Sequence, residues 1–273
     1  YDAEGVGGII NIVLVQKLDE GLNGNFGLNV GYGQRPKFGG SQELNIHRGK
    51  HNLITNLSAT NDYVQEDLTI NKSIRTEQGT LVTDTYSDRP AFRGNYRGNF
   101  GLDYELTDKT TLGFVVSGFT SRWNLDATTT SSVSLDGNLD ELSVLSSKER
   151  NDWVHYMGNV NLRHDFGDGW KLSLDYDYLN YFNDNPTDYV DRVTSGQGEP
   201  VREQAFISRK ENPINFHVAK ADVTKSIKEG WNLEFGAKIS VSDLANDNLV
   251  ADLVNGSQVI NETYTNLIDM DER

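Results

Sequence analysis

The feature that most constrains this chain is a strict two-residue alternation of apolar and polar side chains. From Trp170 to Tyr178, the residues Trp170, Leu172, Leu174, Tyr176 and Tyr178 share one parity, and Lys171, Ser173, Asp175 and Asp177 the other. From Trp231 to Val241, the residues Trp231, Leu233, Phe235, Ala237, Ile239 and Val241 oppose Asn232, Glu234, Lys238 and Ser240. Phe26, Leu28, Val30 and Tyr32 repeat the pattern, as do Tyr96, Phe100, Leu102 and Tyr104. Period 2 puts the two sets on opposite faces of a sheet, and helical spacing is hard to find. Two stretches are ambiguous. Near residues 111–123 either parity can be the apolar one. Between Ile214 and Ile227 the apolar set changes parity after Val218, which predicts a β-bulge there.

Connections alternate in length. Tight turns are expected at Arg48-Gly49-Lys50, Thr107-Asp108-Lys109, Gly167-Asp168-Gly169 and Lys228-Glu229-Gly230, where Gly, Asp and Asn supply positive φ. Between them lie polar stretches read as long loops, over residues 65–90, 124–152, 184–204 and from 246 onward. The last three turns recur at about 60-residue intervals, a hairpin repeat. About nine strands follow, in windows 24–33, 41–48, 52–63, 92–105, 111–123, 152–165, 170–183, 206–227 and 231–244. Strands of roughly 10 to 14 residues, joined by short turns at one end and long loops at the other, fit an antiparallel transmembrane β-barrel. Its apolar face meets lipid, so only 36% hydrophobic residues suffice without a packed core. Trp170 and Trp231, just inside tight turns, are placed to form an interfacial girdle.

Composition removes other classes. No run of about 20 apolar residues exists for a membrane helix. A net charge of −15 argues against nucleic acid. The absence of Cys excludes disulfides, thiolate metal sites and Cys nucleophiles. His47 and His51 are separated by a tight turn rather than carried on a helix, and residues 183–191 lack the Gly and distal Glu of a calcium loop. No Gly-x-Ser-x-Gly elbow or phosphate-binding loop occurs. The reading is therefore of a protein that is not an enzyme and has no cofactor or metal. An outer-membrane lipase or protease would need a nucleophile–base pair, and none can be picked out.

The first residues, YDAEGVGGIINIVLVQK, add a resemblance. Tyr1, Ala3, Glu4, Gly5, Gly7, Gly8, Ile9, Ile10, Asn11 and Ile12 resemble the end of the plug domain of a TonB-dependent outer-membrane receptor, running into its barrel. The GLNGNFGLNVGYG that follows resembles that family's first barrel strand. Gly5, Gly7 and Gly8 permit the close backbone approach of a strand packed inside a barrel. The resemblance implies an all-β fold, a partial barrel preceded by the last plug strand. Residues 1–20 would be the C-terminal end of the plug and residues 21–273 the N-terminal part of the barrel. Such barrels have about 22 strands, and the chain ends without a terminal aromatic, so it is read as an internal fragment. The resemblance further implies location in the outer membrane of a Gram-negative bacterium. The partners would be outer-membrane lipid, TonB (through a segment outside this chain) and an unidentified nutrient. Ligand contacts are expected from Arg89, Phe92, Trp123, Trp153, Tyr181 and Tyr189. The alternative is a passive porin-like or adhesin-like barrel.

Overall fold

The computed structural model describes residues 20–228 and 231–272. The plug-end string Glu4 to Ile12 lies outside them. Among the described residues every regular element is a strand, and all pair antiparallel in one sheet. The order follows the chain: β1 (Gly21–Tyr32), β2 (Pro36–Arg48), β3 (His51–Thr76), β4 (Gly79–Thr107), β5 (Thr110–Leu135), β6 (Asn138–Gly167), β7 (Trp170–Ser195), β8 (Pro200–Lys228) and β9 (Trp231–Val254). Then come the short β10 (Ser257–Ile260) and β11 (Asn266–Glu272). Both short strands lie along the same edge of β9. They are one strand interrupted at residues 261–265, where the Thr265 hydroxyl accepts from the Val250 amide and donates to the Val250 carbonyl. Each of the nine expected windows matches one of β1 to β9, eight lying wholly within their strand and the first running one residue past the end of β1. The interrupted tenth strand occupies what was expected to be loop.

The other expected loops are strands too. β3 and β4 stay in register from His51↔Tyr104 to Thr76↔Gly79, a ladder 26 residues long. At about 3.3 Å per residue that is about 86 Å. The polar composition that suggested irregular structure instead supplies ladders of hydroxyls, such as Thr85 with Ser131 at 2.9 Å and Ser87 with Thr129 at 2.7 Å. Two of the far tips close on two-residue turns with positive φ at both positions. Asp136 (φ 49°) and Gly137 (φ 83°) join β5 to β6, and Asn255 (φ 51°) and Gly256 (φ 79°) join β9 to β10. Positive φ at both central residues is the type I′ turn, whose twist matches the strands it links.

At the opposite, near end, the turns fall where expected at Gly49-Lys50, Asp108-Lys109 and Asp168-Gly169. Three incoming strands carry a bulge just before their turn, between Glu105 and Thr107, Asp165 and Gly167, and Ser226 and Lys228. The extra residues are Leu106, Phe166 and Ile227, all exposed. The bulge expected after Val218 is absent: β8 keeps one register with β7 from Lys225 to Arg202. The parity change arises because β8 carries apolar residues on both faces, Ile214, Phe216 and Val218 on one and Ala219, Ala221 and Val223 on the other.

The strands are staggered. One row of partners runs His51–Tyr104–Leu112–Leu162–Leu174. Counted to the nearest near-end turn, His51 is two residues from Gly49, Tyr104 four from Asp108 and Leu162 six from Asp168. The step is about one residue per strand. About 3.3 Å of rise against about 4.8 Å of spacing gives a tilt of about 35°, the tilt of strands in barrels.

Candidate functional site

Register sorts every side chain into two faces. One carries Phe26, Leu28 and Val30 of β1, Leu53 and Leu57 of β3, Phe100 and Leu102 of β4, and Leu112, Phe114 and Val116 of β5. It continues through Val160 and Leu162 of β6, Leu172, Leu174 and Tyr176 of β7, and Phe235 and Ile239 of β9. Most of these side chains are exposed, with Leu28 at 89% and Val30 at 90%, and the rest, such as Leu53 and Leu112, are half-buried. A face this large and this apolar needs a nonaqueous neighbour. At its near end Trp170 and Trp231 stand exposed beside Leu106, Phe166 and Ile227. Lys225 lies 4.9 Å from the Trp170 ring centroid, and Lys228 5.9 Å from that of Trp231. The Lys225 ammonium also donates to the Asp168 carbonyl at 2.6 Å. Apolar bodies with cations aimed at the turn are the arrangement of an interfacial girdle.

The opposite face is polar and is the concave side: along β6 the outward Asp152, Val154, Tyr156 and Val160 are exposed, whereas the inward Asn151, His155, Met157 and Asn159 are half-buried and only the large Trp153 among them is exposed. Its most ordered region is a block of three tiers crossing β4 to β9. The lowest holds Arg97, Phe119, His155, Tyr181, Ile214 and Leu244. Here the His155 ring stacks on Tyr181 at 4.0 Å and lies 5.3 Å from Phe119. The middle tier holds Asn95, Ser121, Trp153, Asn183, Asn212 and Asn246. The upper tier holds Arg93, Trp123, Asn151, Asn185, Lys210 and Asn248. Ser121 donates to Asn95 at 2.9 Å and Asn183 to Asn151 at 2.7 Å, while Asn212 donates to Asn246. Arg93 lies over the Trp123 ring at 4.9 Å. Beside the lowest tier a groove of about 530 Å³ is lined by residues including Glu43, Ser58, Arg97, Asn99, Phe119 and His155.

Residues 164–273 match the outer membrane protein beta-barrel family. No curated protein matches the chain. These strands are wall of an outer-membrane β-barrel. The apolar face is therefore its lipid face, the polar concave face its lumen, and the chain sits in the outer membrane of a Gram-negative bacterium.

The barrel wall spans about 25 Å of hydrocarbon, roughly ten residues of tilted strand. More than half of the β3–β4 ladder therefore stands outside the membrane, as a continuation of the wall. Of the six residues expected to touch ligand, Arg89, Trp123, Trp153, Tyr181 and Tyr189 have lumen parity. Phe92 has lipid parity, its ring 5.1 Å from that of Tyr63. Trp123, Trp153 and Tyr181 fall together in the tiered block, whereas Tyr189 stacks at 4.6 Å on Phe206 farther from the membrane. Arg89 pairs with Glu66 at 3.7 Å. The sequence reading passed over the asparagines and Phe119 and His155. Their signal is alternation within single strands, as in Asn151-x-Trp153-x-His155 and Tyr181-x-Asn183-x-Asn185. His47 and His51 have opposite parities, so they face away from each other. Residues 183–191 lie in β7, which turns successive oxygens to opposite faces rather than onto one ion.

Proposed function

We propose that this barrel wall belongs to a TonB-dependent receptor that binds a scarce nutrient at its extracellular side and admits it through a plugged lumen. The observation that carries this reading is the string Glu4 to Ile12, which leads into β1 and whose spaced glycines suit a strand threaded through a barrel. The polar lumen face supports it, because a plug or water must satisfy those amides and charges. TonB, pulling on the plug from the inner-membrane side, supplies the energy. The wall contributes binding, orientation and a path, and no bond-breaking chemistry.

Nutrient uptake by cells expressing the protein tests this. Uptake lost on deletion of tonB is the expected result. Uptake that persists without TonB, together with steady conductance in planar bilayers, is the behaviour of a passive porin and overturns the reading.

A further inference from the structure

We propose that the three lumen tiers between β4 and β9 form a binding platform for a neutral oligosaccharide, with Trp153 as its stacking surface. This deepens the receptor reading and rests on it.

Charge segregation is the first argument. The chain holds 40 carboxylates, yet none occupies the 18 positions of the three tiers. On the lipid-parity side at the same height, Asp152, Asp184, Glu211 and Asp247 are consecutive partners across four strands. The wall at this level is acidic outward and uncharged or cationic inward, so the lumen side is selective rather than merely solvated.

Side-chain chemistry is the second argument. Seven of the twelve residues in the upper two tiers are asparagines, drawn from five different strands. Each amide offers two donors and an acceptor. Several are tied to one another, which fixes their direction before a ligand arrives. Asn183 is 4% exposed, anchored to Asn151 and to the Asp152 carbonyl. Trp153 stands in the middle of this row, flanked by Ser121 and Asn183, and is 42% exposed. A pyranose has an apolar face of C–H groups and a rim of hydroxyls. The first suits an open indole and the second a ring of oriented amides.

The three cations of the block are spread out rather than gathered on one point, as a site for a single anionic group would need. Arg93 is engaged with Trp123, and the Arg97 and Lys210 positions lie at opposite sides of the block. The row across β4 to β9 spans five strand spacings, about 24 Å. The adjoining groove of about 530 Å³ lies within the range for small-ligand sites. Both are the scale of an oligosaccharide rather than a single sugar.

The test is binding of maltoheptaose, laminarihexaose, xylohexaose and a heparin hexasaccharide to the complete detergent-purified protein, read by calorimetry and tryptophan quenching. At least one neutral probe binds, and Trp153→Ala weakens it at least tenfold. Asn212→Asp, which sets a carboxylate in the row without changing its size, also weakens it. Trp231→Ala, on the girdle, leaves it unchanged. Heat-modifiable mobility and circular dichroism confirm that each variant is folded. The proposal is overturned if none of the neutral probes binds, if only the sulfated probe binds, or if neutral binding survives both tier substitutions. Binding retained in a strain whose uptake does not need TonB would sink the receptor reading and leave the platform standing.

Discussion

Single side chains report which solvent each face meets. Val115 and Val116 are adjacent in β5, yet Val115 faces the lumen opposite Asn159, and Val116 faces lipid opposite Gly158. Val116 is 60% exposed. An arginine at 116 has no water to reach, and the expected cost is about 2–4 kcal/mol near the bilayer midplane. At 115 it meets a wet lumen, and the expected cost is well under half of that. Urea unfolding of Val116→Arg and Val115→Arg in lipid vesicles makes the comparison, and equal destabilisation would reverse the face assignment. Outside the membrane, the Tyr86 hydroxyl donates to Asp67 at 3.2 Å. The Asp67 carboxylate, by its charge first and this hydrogen bond second, holds the phenol above its ordinary value near 10. The neutral phenol is the favoured form in the folded protein. That preference is fully present below the ordinary tyrosine range and is lost as pH rises through the higher folded value. Asp67→Asn lowers the Tyr86 titration toward the ordinary range. The difference in alkaline absorbance against Tyr86→Phe reads it, and no movement would refute the pairing.

Within the elements, turn chemistry sets where each hairpin ends. The near turns were legible because Gly and Asp sit between two clear alternating runs. The far turns were equally encoded, in Asp136-Gly137 and Asn255-Gly256, and have apolar neighbours such as Leu135, Leu139 and Val254, but the longer runs behind them are rich in Ser, Thr, Asn and Asp. Those strands stand in water on both sides, so their sequence carries no sustained apolar parity, and the stretches read as loops. Gly137 has φ 83°, where a β-branched residue costs about 1–2 kcal/mol or more. Gly137→Val therefore frays the β5–β6 tip without unfolding the barrel. Limited proteolysis gains a cut near residues 135–138, whereas Gly158→Ala, which meets open space, gains none. An uncut Gly137→Val protein would show that the tip is not held by its turn.

At the scale of the whole molecule, a stagger of about one residue per strand predicts a tilt of about 35°. Polarised infrared spectra of the protein in oriented bilayers measure it directly, and strands within 20° of the membrane normal would contradict the register. The sequence by itself determined that the chain is all-β, that its strands are long, and where the near turns fall. It did so because period 2 and turn residues act over a few neighbours. Placing Trp170 and Trp231 at the girdle followed from the same local signals. Tertiary structure alone decided which parity of β5 and β8 meets lipid, since both strands carry apolar residues on each face. Only pairing with β4, β6, β7 and β9 breaks that tie. It also decided that Phe92 takes the outward parity while Trp153 faces the lumen, and that asparagines from residue 95 to residue 248 meet in adjacent rows. No local pattern brings such residues together: a row across a sheet is fixed by inter-strand hydrogen bonds, which join residues far apart along the chain.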